Sequence, residues 1–82
     1  MVENKQSFDL NTLQKEVMLF VDKWVRKEKT PVPRTEIVSM MNSKGIKSYT
    51  TLNVINTLMR KGYIRKAARM GNKSYYIQLR RI

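Results

Sequence analysis

The chain has 82 residues, with 17 Lys or Arg against 6 Asp or Glu, no histidine, no cysteine, and a formal net charge of +11. Lack of Cys excludes a disulfide framework and thiolate metal sites, and lack of His removes the usual zinc ligand and the usual general base near neutral pH. The length suits one domain; the longest wholly apolar run, residues 17–21, is far too short to cross a bilayer, and the first ten residues hold no apolar segment of signal-peptide length, so a cytoplasmic protein is expected.

Residues 1–9 are polar and read as a loosely ordered arm ahead of a domain over 10–82. A helix is expected from about Asn11, because Leu13, Val17, Phe20, Val21 and Trp24 form one stripe at spacings of three and four. Asn11 or Thr12 can cap it, Glu16 lies early in it, and Lys27 and Lys29 complement its negative pole. Leu19 points off the stripe. The next segment, Thr30-Pro31-Val32-Pro33, must be extended, since each proline drives its predecessor out of the helical region, and Val32 suits a short strand.

A second helix is expected over Arg34 to Ser43, with Glu36 in its first turn and Ile37, Met40 and Met41 on its buried side. Gly45 ends it, and Ile46 plugs the corner. The third helix is expected from Tyr49 to Lys61, capped by Ser48 and closed by Gly62 at the position after its C-cap. At about 100° per residue, Thr51, Ile55, Leu58 and Met59 share one face with Leu52 beside them. Thr50, Asn53, Thr57 and Arg60 fall opposite, flanked by Tyr49 and Lys61. That polar face carries short hydrogen-bonding groups and no acid.

Two β-rich segments follow, Tyr63 to Arg69 and Lys73 to Leu79, joined by the turn signal Met70-Gly71-Asn72. Ile77 and Leu79 alternate with Tyr76 and Gln78, which predicts that the first pair faces inward with Ile64 opposite. Among the tyrosines, only Tyr49, Tyr63 and Tyr76 could be exposed. The expected class is α+β: three helices and a two-stranded hairpin, with a short third strand near Val32. That order is a winged helix-turn-helix.

The charge is unevenly spread. Residues 1–36 hold all six acids against seven bases, whereas residues 37–82 hold ten bases and no acid. A one-signed surface repels itself, so such a half points to a polyanionic partner.

The motif PVPRTEI ahead of the second helix resembles the corresponding stretch of the DNA-binding domain of LexA-type SOS repressors. SYTTLNVINTLMRKGYI is similar to the recognition-helix segment of penicillinase-type and copper-responsive repressors. The likeness covers roughly residues 13–79 and implies a winged helix that binds double-stranded DNA. It does not extend to a protease domain, so self-cleavage is not implied. Nor does it extend to the C-terminal dimerisation helices of the penicillinase-type repressors.

In such a domain the second helix of the pair enters the major groove. Asn can bridge adenine, Arg can bridge guanine, and Thr offers a hydroxyl and a methyl. Thr50, Asn53, Thr57 and Arg60 are therefore the expected base-reading set. Lys47, Ser48 and Tyr49 at the helix start are placed for phosphate, with Lys61 and Arg34. Arg65, Lys66, Arg69, Asn72 and Lys73 form the expected wing, on the backbone or in the minor groove. A small, nucleoid-associated transcriptional repressor is the leading expectation, without cofactor, metal or small-molecule ligand. An accessory factor for replication, partition or recombination of a mobile element would look the same. A winged helix serving as a protein-interaction module is the alternative from another class. With no His, no Cys and no recognisable carboxylate pair, an enzyme is not expected. A homodimer is expected from the class, with Phe8, Leu10 and Leu19 the sequence hints.

Overall fold

Asn11 starts the first helix through a reciprocal cap. Its side-chain oxygen accepts from the Gln14 N–H at 2.9 Å, and Gln14 Oε1 accepts from the Asn11 N–H at 3.0 Å. Two of the four orphan amides of a helix start are thereby satisfied. The computed structural model describes residues 10–71 and 73–80, with only the backbone of 68–70. In chain order the elements are α1 (Thr12–Glu28), β1 (Val32–Pro33), α2 (Arg34–Ser43), α3 (Ser48–Arg60), β2 (Ile64–Met70) and β3 (Lys73–Gln78). Together they make a small α+β fold of three helices and a three-stranded antiparallel sheet.

The helix ends follow from local chemistry. α1 stops at Lys29, which takes a left-handed backbone (φ 59°) and donates its N–H to the Val25 carbonyl. α2 and α3 share a different ending. The Gly45 and Ile46 amides close on the Asn42 and Met41 carbonyls; the Gly62 and Tyr63 amides close on the Met59 and Leu58 carbonyls. Both are paired reversals of the Schellman type, with glycine at positive φ (86° and 82°) where a Cβ would be strained. The start of α3 departs from expectation. Lys47 is the cap residue and gives no side-chain bond, while Ser48 is already helical, its hydroxyl 3.5 Å from Asn42 Nδ2. The buried Thr51 hydroxyl instead donates back to the Lys47 carbonyl at 3.2 Å.

The sheet order is β1-β3-β2, so β3 is central and Val32 pairs with Tyr76. β2 and β3 pair from Ile64↔Gln78 to Met70↔Lys73, with a register shift at Ala67. That extra residue is a β-bulge, which bends the strand and raises its twist.

Val17, Met18, Val21, Ile37, Met41, Ile55, Leu58 and Ile64 fill the core. Each such side chain stabilises the fold by about 1.5–3 kcal/mol through burial. The α1 stripe is turned from its expected position: Gln14 and Met18 are buried, while Leu13, Phe20 and Trp24 are only partly covered. In α2, Met40 is likewise only partly buried. In α3, Val54 joins the core and Met59 is partly exposed.

The larger correction concerns β3. Ser74 and Tyr76 face inward, Ile77 is half-buried and Leu79 is exposed, the reverse of the expected alternation. Tyr76 can enter because Arg34 Nε donates to its hydroxyl at 3.2 Å, so the phenol is buried without an unsatisfied oxygen. Ile77 lies on the opposite face, lining one depression with Val25 and Pro31. Tyr63 is fully buried too, with the Arg80 guanidinium 4.3 Å from its ring centre. Of the three tyrosines that the sequence allowed at the surface, Tyr63 and Tyr76 are therefore buried.

Candidate nucleic-acid interface

The outward face of α3 is built by its period. Burial of Thr51, Val54, Ile55 and Leu58 fixes one side, which leaves Tyr49, Asn53, Asn56 and Arg60 along the other at spacings of four, three and four. Tyr49 is 64% exposed at the head of this stripe, next to exposed Lys47 and Ser48. Thr50 and Thr57 lie at its margin, half-buried. The stripe is thus turned toward Asn56, a residue absent from the sequence-derived set. A helical wheel already carries the signal, since Asn56 lies about 60° from Asn53.

Asn53, Thr57 and Arg60 are joined along the helix. The Thr57 hydroxyl donates to the Asn53 carbonyl at 3.0 Å and accepts from Arg60 Nη2 at 3.3 Å. Its proton is therefore committed within the helix. The bond from Arg60 holds one arm of the guanidinium against the helix and limits the rotamers of a long side chain. Such ordering reduces the entropy that binding would otherwise cost.

The other expected contacts are placed in three ways. Arg34 opens α2, but its Nε and Nη2 are used on Tyr76 and on buried Ser74 at 3.2 and 3.1 Å. It joins α2 to the central strand. Lys61, the C-cap of α3, sends its ammonium toward α1, where Nζ lies 3.4 Å from Gln14 Oε1. On the hairpin, Arg65, Lys66 and Lys73 are exposed, with Ala67 exposed at the bulge. Arg69 pairs with Ser74 in the ladder, and its side chain lies outside the described residues, as do Asn72 and Phe8.

Charge compensation differs sharply from site to site. Lys44 meets Glu16 of α1 at 3.3 Å, and Arg26 meets Asp22 at 2.9 Å. Among the described residues no carboxylate lies within ion-pair distance of Lys47, Arg60, Arg65, Lys66 or Lys73. These five cations keep their full field for an outside anion. Among the described residues, too, no group of three or more His, Cys, Asp or Glu could hold a metal, and no helix is long and apolar enough to cross a membrane. Comparisons with protein-family models, with curated proteins and with solved structures find no match.

Proposed function

We propose that this chain is a sequence-specific double-stranded DNA-binding protein of the winged helix-turn-helix type, acting as a small transcriptional repressor. In this reading α3 lies in the major groove and the β2–β3 hairpin lies on the backbone or in the adjacent minor groove. The observation that carries it is the stripe Tyr49-Asn53-Asn56-Arg60, exposed and free of carboxylates.

An ordinary solvated helix face mixes Glu with Lys, whereas this one offers two amides, a guanidinium and a phenol. A helix about 10–12 Å across fits a major groove about 12 Å wide. There Asn53 and Asn56 would bridge adenine N6 and N7, and Arg60 would bridge guanine O6 and N7. Thr50 and Thr57 at the margin supply methyl contacts for thymine. Lys47, Ser48 and the amides at the start of α3 would hold a phosphate, which fixes the helix in register without reading sequence. Arg65, Lys66 and Lys73 would add sequence-independent affinity. Arg34 and Lys61 contribute mainly by placing α2 and α3.

The test is a selection from a random duplex DNA library at about 0.15 M salt. An enriched site supports the regulator, and base changes in it should map to Asn53, Asn56 and Arg60. Tight binding without enrichment would mark an accessory or architectural DNA protein instead. No binding would favour a protein-interaction module.

A further inference from the structure

Cross-strand partners in an antiparallel pair share a face, so the register divides the sheet's side chains in two. Lys66 pairs with Tyr76 and shares its inner face, whereas Arg65 pairs with Ile77 on the outer one. By alternation Tyr75 lies on that outer face too, with Pro33 opposite it in the β1 ladder. Tyr75 and Ile77 are half-buried, and Leu79, two residues after Ile77, is 50% exposed. Ile77 also lines an open depression with Val25, Lys29, Thr30, Pro31 and Gln78. The charge around it has one sign. The two depressions along α1 each take in a glutamate, Glu28 or Glu16. Here Lys29, which leads into β1, and Arg65 of β2 flank Ile77 on the central strand. β2 and β3 hold no acid, and Asp22, three residues before Val25 on α1, is held by Arg26 at 2.9 Å.

We propose that this outer face docks an acidic peptide segment of another protein, one that sets large apolar side chains among carboxylates. An apolar side chain fills the depression against Val25, Pro31 and Ile77, and carboxylates on either side of it meet Lys29 and Arg65. Burial of the apolar group supplies the affinity, and the two cations set the orientation. The charge pattern disfavours the other occupants. A duplex presents phosphates, which gain nothing from Val25, Pro31 and Ile77. A second copy presents the same cations, so two-fold pairing here would set like charges together. One depression and two cations make a small contact, so the expected Kd is on the order of 100 μM. The inference goes beyond the DNA reading. None of these residues lies on the stripe Tyr49-Asn53-Asn56-Arg60, so either reading can fail alone.

Nuclear magnetic resonance titration of the isotope-labelled whole chain with a short synthetic peptide tests it. The probe places leucines among glutamates; one control carries glutamine for every glutamate, another serine for every leucine. Amide shifts at Val25, Lys29, Thr30, Ile77 and Gln78 should saturate, with those of the α3 stripe unmoved. Each control should bind about tenfold more weakly than the probe. Lys29→Asn removes one cation yet suits the left-handed cap, so the melting temperature should hold while probe binding weakens about threefold, the scale of one exposed ion pair. Three results would each overturn the proposal: no saturation up to about 2 mM probe, a serine control that binds as well as the probe, or shifts centred on Lys47 and α3.

Discussion

Helices α1 and α3 bury residues in the same core, Val17, Met18 and Val21 from one and Val54, Ile55 and Leu58 from the other. Their outer faces have nothing in common. α1 turns out Leu19 and half-covered aromatics among charges of both signs, with Asp22 and Glu16 each holding a cation. α3 turns out Tyr49, Asn53, Asn56 and Arg60, and among the described residues no carboxylate lies within ion-pair distance of Arg60. Helical period alone decides what goes inside, so it is silent about partners. The residues left outside can carry that information, and here they differ between the two helices.

The largest expected effects come from the half the helices share. Met18→Ala in α1 and Leu58→Ala in α3 should each destabilise the fold by about 2–5 kcal/mol in denaturant titration, because both sites are fully buried. Similar losses from the two would confirm that the inner faces are equivalent.

Next come the outer residues of α3. Asn53→Ala and Arg60→Ala should each cost about 1–3 kcal/mol of discrimination at one base pair, measured as relative affinities for the selected site and its variants. Asn56→Ala should do the same. If Thr50→Val mattered and Asn56→Ala did not, the reading face would lie where the bare helical wheel centred it.

Asn11→Ala removes one side of the α1 cap and should lower stability by about 1 kcal/mol in thermal melts, with DNA preference intact. Lys66→Ala should have the smallest effect. It should weaken all DNA alike and reduce the slope of log affinity against log salt by about one. If Lys66→Ala and Arg60→Ala behaved identically, the assignment of base reading to α3 would fail.

Much of this architecture was legible in the residues. Asn11, Gly45 and Gly62 mark helix boundaries by chemistry that is local, and the elements fall within a residue or so of where those signals put them. Val32 beside two prolines marked the short edge strand. The phase of β3 was not legible. Tyr76 and Ile77 are both strand formers, and which one faces inward depends on Arg34, 42 residues from Tyr76 along the chain, reaching its hydroxyl. Arg34 was expected at phosphate, and its bonds to Tyr76 and Ser74 depend on contacts 42 and 40 residues away that the sequence does not display. The approach of Lys61 to Gln14, 47 residues away, was equally invisible there. The β-bulge at Ala67 left no mark that alternation could reveal. Leu10, counted among the exposed hints of a dimer, is buried, which leaves Leu19 as the described residue of that set at the surface.

The two reversals that close α2 and α3 have a consequence for handedness. Gly45 and Gly62 sit at positive φ, and a side chain built on either would meet nothing within 4 Å. The obstacle to a larger residue is therefore the mirror sense of the backbone and not a lack of space. L-alanine at Gly62 should destabilise by about 1 kcal/mol. D-alanine, introduced by chemical synthesis, should stabilise by about 0.4–1 kcal/mol, because it prefers that conformation and narrows the unfolded ensemble. A chain of 82 residues is short enough to assemble that way, so one methyl group of inverted configuration could stiffen the end of α3 without touching its outer face.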